Sequence, residues 1–132
     1  MAVAAENLQE LERRVAFELE CLGYPARAWV APQQHAGQHV YDALIVGGGQ
    51  SGVTIAFRLL RERVTNIGLL DRNRDGREGP WATFARMHTL RTPKDVVGPE
   101  LGIPSLSVRA WYEARFGENA WVGLDKIPRT FG

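Results

Sequence analysis

Three consecutive glycines, Gly47-Gly48-Gly49, stand between an apolar run and an amphipathic pattern, and this junction constrains the fold more than any other stretch. Before it, Ala43-Leu44-Ile45-Val46 predicts a short buried strand. After it, Gln50-Ser51-Gly52 opens a helix with Val53, Ala56, Leu59 and Leu60 on one face. A second apolar run, Ile67-Gly68-Leu69-Leu70, predicts another strand and ends at Asp71. Strand, tight turn, helix and strand in that order predict an α/β fold built on a parallel βαβ unit.

The glycine spacing is G-x-G-x-x-G, at Gly47, Gly49 and Gly52. In the strand-to-helix context each position has a physical task. Gly47 permits the tight turn, Gly49 leaves room for a pyrophosphate to approach the backbone, and Gly52 lets the helix lie close on the sheet. Ala56, one turn on, extends that close approach. Free N–H groups at the helix start, together with the helix dipole, stabilise phosphate charge. Asp71 stands about 20 residues past the glycines, the spacing of an acid that binds a ribose hydroxyl. The glycines alone are also compatible with an ordinary turn. The flanking strand and helix and the acid's position favour a dinucleotide site. A carboxylate there repels a 2′-phosphate, which favours FAD or NAD over NADP, and spacing does not choose between those two.

The chain has 132 residues and a formal net charge of +1, so bulk charge favours neither nucleic acid nor a membrane surface. Cys21 is the only cysteine, which excludes an internal disulfide, a cysteine metal cluster and a redox-active cysteine pair. The N-terminal MAVAAENLQELERR has acids and no apolar core of a signal peptide. No run of about 18 apolar residues predicts a membrane span. A cytoplasmic protein is the expectation.

Leu8, Leu11, Val15, Leu19 and Leu22 recur at helical spacing and predict an accessory helix over 5–22, stopped at Gly23 and Pro25. Cys21, beside this stripe, is expected to pack. Pro25, Pro32 and Gly37 predict an irregular linker over 23–40, anchored by Trp29, with His35 and His39 as exposed loop residues rather than metal ligands. The division expected is therefore an N-terminal helix and arm over 1–40 and a nucleotide-binding domain over 41–132.

After Asp71, Arg72 adjoins the ribose acid and is assigned to cofactor contact, whereas Arg74 and Arg77 are split between contact and a solvated loop. Residues 79–94 are too interrupted for a long helix and too polar for a core strand. His88 has no visible partner and receives no catalytic role. Ser107 is placed to cap a helix over 108–116 that ends at Gly117. Trp111, Tyr112 and Phe116 give that helix an apolar face, with Trp121 as a possible continuation, and they are expected in a core.

The run Gly47, Gly49, Gly52 and Ala56 forms G-x-G-x-x-G-x-x-x-A and resembles the signature of two-dinucleotide-binding flavoproteins, among them FAD-dependent oxidoreductases and monooxygenases. In that family the N-terminal fingerprint holds FAD and a later one holds NADPH. Asp71-Arg72 stands where monooxygenase members usually have Glu-Arg. Gly79-Pro80-Trp81 is similar to a Gly-x-Trp element that runs along the isoalloxazine ring, which implies either flavin contact or a buried plug for Trp81.

The resemblance implies a Rossmann-like, partial doubly wound parallel sheet, and it implies the FAD-binding N-terminal part of an NAD(P)H-dependent oxidoreductase, with NADPH or NADH as co-substrate and a small-molecule substrate. Only one fingerprint is present, so the chain alone is expected not to turn over and to self-associate through an exposed sheet edge. A nucleotide-binding fragment without turnover and an NAD-binding dehydrogenase or sensor domain are the alternatives. The expected cofactor-binding set is Gly47, Gly48, Gly49, Gln50, Ser51, Gly52, Asp71, Arg72 and Trp81.

Overall fold

The computed structural model describes residues 2–23, 25 and 27–131. In chain order the elements are α1 (Ala2–Cys21), β1 (Gln33–His35), β2 (Gln38–Val40), β3 (Ala43–Val46), α2 (Gln50–Arg61), β4 (Ile67–Leu70), a 3-10 turn at Pro104–Leu106, α3 (Val108–Phe116), α4 (Ala120–Gly123) and a 3-10 turn at Arg129–Phe131. They pack as two units. One is Gly23–Arg86, and the other joins the residues up to Leu22 with those from Met87 onward.

In the first unit β3 and β4 pair in parallel, with Ala43 opposite Ile67 and Val46 opposite Leu70. Helix α2 connects them and packs on both strands, completing the βαβ unit. Ile45 is buried, but Leu44 is 55% exposed and Val46 84% exposed, so β3 is half covered and not the buried strand expected. The alternation follows the strand period of two: Ala43 and Ile45 share one face, and Leu44 and Val46 share the other. Helix α2 turns Gly52, Ala56 and Leu59 inward, while Val53 and Leu60, expected on the same apolar face, are exposed. Arg58 and Arg61 lie in its last turn, where cations complement the dipole.

The segment expected as an irregular linker contains a hairpin. Strands β1 and β2 are antiparallel, with Gln33 opposite Val40 and His35 opposite Gln38. Ala36 and Gly37 both have positive φ (50° and 74°), the backbone of a two-residue hairpin turn. His35 and His39 are exposed on strands rather than loops, and His39 meets the Tyr41 ring edge-on at 4.8 Å. Trp29 does anchor this arm, through a hydrogen bond rather than burial. Its Nε1 donates to the Glu62 carbonyl at 2.7 Å while the residue stays 67% exposed. Arg63 Nε donates to the Pro25 carbonyl at 2.9 Å, a second tie to the end of α2.

In the second unit α1 packs on α3 and on the Pro104–Leu106 turn. The accessory helix starts earlier than expected, and Cys21 is exposed rather than packed. The core holds Leu11, Ile103, Trp121 and Ile127, with Ile103 only 1% exposed. Burying such a side chain stabilises by roughly 1.5–3 kcal/mol. Helix α3 has the expected bounds. Ser107 Oγ accepts the Ala110 N–H at 3.1 Å, and the helix stops at Gly117. Trp111, Tyr112, Phe116 and Phe131 form an aromatic cluster, with Tyr112 and Phe116 centroids 4.6 Å apart. Trp121 does not continue α3. It sits on α4, 5.8 Å from Tyr112, and its Nε1 donates to Asp95 Oδ1 at 3.1 Å. Residues 87–94 run as a bent, irregular chain, tied by an isolated bridge between Thr89 and Pro128 and by Lys94 Nζ donating to the Trp121 carbonyl at 2.6 Å. His88 is exposed there.

Among the described residues no helix is long and apolar enough to cross a membrane.

Candidate functional site

Every expected cofactor-binding residue lies in the Gly23–Arg86 unit. The strand β3 delivers the chain to Gly47, whose N–H donates to the Leu70 carbonyl at 2.7 Å, so the turn begins as an extension of the parallel ladder. Gly47 has φ of +109°, a backbone that side-chain-bearing residues rarely adopt. Gly49 is the N-cap of α2 and offers no side-chain cap. Among the described residues the N–H groups of Gly49, Gln50, Ser51 and Gly52 have no hydrogen-bond partner, and Val53 begins the ladder with a 3.0 Å bond to the Gly49 carbonyl. Four donors at a helix start, unopposed by a capping side chain, are what a phosphate oxygen requires.

Gly52 is buried where helix and strand meet. A Cβ built on it would stand 1.8 Å from the Gly47 carbonyl oxygen and 3.3 Å from Ile45 Cγ2. Only a bare Cα lets α2 start this close to the turn. That is the close-packing task assigned to the third glycine.

Asp71 closes the site from β4. Its Oδ2 accepts the Gly48 N–H at 2.7 Å, and its Oδ1 accepts the Asn73 N–H at 2.7 Å. The backbone N–H of Asn73, then that of Gly48, hold the carboxyl below the usual carboxylate range. An ionised carboxylate has about four acceptor positions, so beyond the bonds from Gly48 and Asn73 some acceptor capacity remains beside the turn. The acid therefore does two things: it pins the glycine turn and presents lone pairs beside it. Arg72 is exposed next to it and adds a smaller lowering.

Sequence reasoning missed the loop that follows. Asn73 completes an Asx turn with Asp71, a signal available in the Asp-x-Asn order. Glu78 packs against the turn, since a Cβ on Gly48 would lie 3.1 Å from Glu78 Cγ. Gly79 packs against Gly49: a Cβ on Gly49 would meet the Gly79 Cα at 3.1 Å. The open space beside Gly49, expected to admit a pyrophosphate, is thus taken on that side by backbone of the 79–85 turn. That turn is tied internally by Thr83 Oγ1 donating to the Gly79 carbonyl at 2.7 Å and by the Ala85 N–H donating to the Pro80 carbonyl at 2.9 Å. Trp81, within this turn, is half-buried.

Among the described residues the arrangement holds free backbone donors, carboxylate acceptors and a close helix–strand contact, but no paired acid and base or activated nucleophile. A group that brings its own chemistry suits such a site. A separate groove of about 670 Å³ in the other unit, lined by Leu11, Val15, Leu19, Trp111 and Phe131 among others, is predominantly apolar.

A family model described as FAD-NAD(P)-binding matches residues 44–131. A FAD-dependent urate hydroxylase of Xanthomonas campestris pv. campestris is 50% identical over 123 residues, covering 93% of this chain and 26% of that protein. The chain thus spans about a quarter of the length of the curated relative it matches. No solved structure matches. The match across most of the chain, with the glycine turn, α2 and Asp71 inside it, settles the family: the chain belongs to the FAD-NAD(P)-binding family.

Proposed function

We propose that this chain supplies the FAD-binding N-terminal portion of an NAD(P)H-dependent flavoprotein monooxygenase. The observation that carries this reading is the 2.7 Å hydrogen bond from Gly48 N–H to Asp71 Oδ2, which sets the diol acceptor beside the phosphate donors. The N–H groups of Gly49, Gln50, Ser51 and Gly52 bind the pyrophosphate, and the α2 dipole adds to their attraction. Gly47 shapes the turn, Gly48 ties it to Asp71, and Asp71 accepts the adenosine ribose hydroxyls. Arg72 flanks that ribose, and Trp81 shields the flavin side from water. FAD, when bound, supplies the redox chemistry, and the side chains here orient it. The fold reading that goes with this is a Rossmann-like unit, part of a doubly wound sheet, with residues 1–40 as an accessory helix and arm.

The relative's name gives urate as what it hydroxylates. By likeness, the whole enzyme acts on a small, electron-rich ring compound of that kind in the cytoplasm. The nicotinamide is held by parts other than these 132 residues, since a single glycine fingerprint is present. Among the described residues β3 and β4 pair only with each other, so each keeps one unpaired backbone edge where a strand can add, from further chain or from a second copy.

Thermal unfolding tests the cofactor assignment. FAD should raise the midpoint more than NADP at equal concentration, because Asp71 opposes a 2′-phosphate. Equal or greater protection by NADP contradicts the assignment.

A further inference from the structure

Gly49 and Gly79 touch through backbone alone. A Cβ on Gly49 would stand 3.1 Å from the Gly79 Cα and 3.6 Å from its nitrogen, and a Cβ on Gly79 would stand 3.3 Å from the Gly49 Cα. Neither position has room for a methyl group unless the chain opposite gives way by a few tenths of an ångström. The contact is reinforced on its N-terminal side by Glu78, which lies against Gly48, and its Oε1 accepts the Gly76 N–H at 3.0 Å. On its C-terminal side the Thr83 hydroxyl holds the Gly79 carbonyl. The 79–85 turn is therefore clamped to the N-terminus of α2 at the residue whose N–H opens the phosphate donors. Trp81 is two residues further on, which puts its Cα within about 7 Å of the Gly79 Cα.

We propose that Gly79 is a positioning residue of the dinucleotide site. Its bare backbone, seated on Gly49, fixes the 79–85 turn as one wall of the site and sets where Trp81 stands relative to the bound cofactor. This rests on the FAD reading above for the identity of the ligand, and on the Gly49–Gly79 contact for everything else. The contact also changes the meaning of the second fingerprint glycine. Gly49 lacks a side chain here to admit Gly79 as well as a phosphate.

Gly79 has φ of +70°, so a substitution there could act through backbone strain alone. Gly76 provides the control. It has φ of +77°, and a Cβ built on it meets nothing within 4 Å. Asparagine tolerates the left-handed region better than other side chains. Gly79→Asn and Gly76→Asn thus carry the same backbone demand, and only the first adds a Cβ at the contact. Gly49→Ala adds the Cβ from the other side without a positive φ.

The experiment uses the full 132-residue chain with three measurements: chymotryptic cleavage after Trp81 and Phe84, FAD affinity, and visible circular dichroism of bound flavin. Gly79→Asn and Gly49→Ala should each speed cleavage roughly tenfold and weaken FAD by a similar factor, the scale of an overpacked contact. Bound flavin should show an altered visible dichroism in both, whereas Gly76→Asn should match the wild type throughout. Gly79→Asn behaving like Gly76→Asn overturns the proposal. So does faster cleavage with unchanged FAD affinity and dichroism, which would make the contact structural only. A wild type that binds no FAD sinks the cofactor reading and, with it, the proposed role of Gly79 toward the cofactor. The cleavage comparison then still decides whether the clamp exists.

Discussion

The Asp71 carboxylate and the Gly48 N–H are hydrogen-bonded at 2.7 Å, across 23 residues of sequence. One oxygen of the acid thus fixes the turn that the fingerprint glycines make, while the other accepts from Asn73. These bonds favour the ionised form and lower the folded-state pKa. On acidification the unfolded chain takes up the proton first. The contribution of Asp71 is therefore complete above the ordinary carboxylate pKa, about pH 4, and is lost as pH falls through the lower folded value. The stability difference between wild type and Asp71→Asn should be constant from neutral pH down to about pH 5 and should shrink below about pH 4. Denaturant titrations of both proteins across that range measure it. A difference that persists unchanged in acid contradicts the assignment.

Because Asp71 pins the turn and, in the proposed site, accepts the ribose hydroxyls, its removal should hurt binding more than folding. Asp71→Ala should weaken FAD by roughly ten- to a hundredfold, the loss of a charge-assisted hydrogen bond. Fluorescence titration reads this directly, and an unchanged affinity removes Asp71 from the site.

Gly52→Ala places a Cβ 1.8 Å from the Gly47 carbonyl oxygen, where backbone rather than a yielding side chain stands. The start of α2 must move away from β3. The expected cost is about 3 kcal/mol or more, the upper end for overpacking. Urea unfolding measures it, and a variant of wild-type stability would show that helix and turn are not held in this contact.

In the other unit, Ser107→Ala removes the acceptor for the Ala110 N–H and should cost about 1 kcal/mol. Ser107→Asp should retain most of that stability, since aspartate caps as well. Equal losses in the two variants would show that the hydroxyl is not acting as a cap.

The elements that frame the candidate site could be read from the chain because each carries a local signal. Glycine spacing marks the turn, periodicity marks α2, and a carboxylate closes the apolar run of β4. Ser107 and Gly117 bracket α3 for the same reason. What could not be read was long-range. The packing of α1 on α3 joins the two ends of the chain, and the Glu18–Ser105 hydrogen bond spans 87 residues with no sequence signature. The hairpin at β1 and β2 was hidden because Gln33, Gln34 and His35 show no apolar alternation. The Gly49–Gly79 contact was invisible because glycines announce turns, and nothing local says that two turns will meet. The exposed face of β3 was misjudged because an apolar run reads as buried whether or not a neighbour covers it.

The central claim is that the start of α2 and Asp71 form one FAD site. Titrating FAD into the isotope-labelled chain and following backbone amide resonances tests it most directly. The account predicts that the largest shifts fall on Gly48, Gly49, Gln50, Ser51 and Gly52, with Asp71 and Asn73 next. Binding that leaves those amides unmoved, or shifts confined to the groove between α1 and α3, would contradict it.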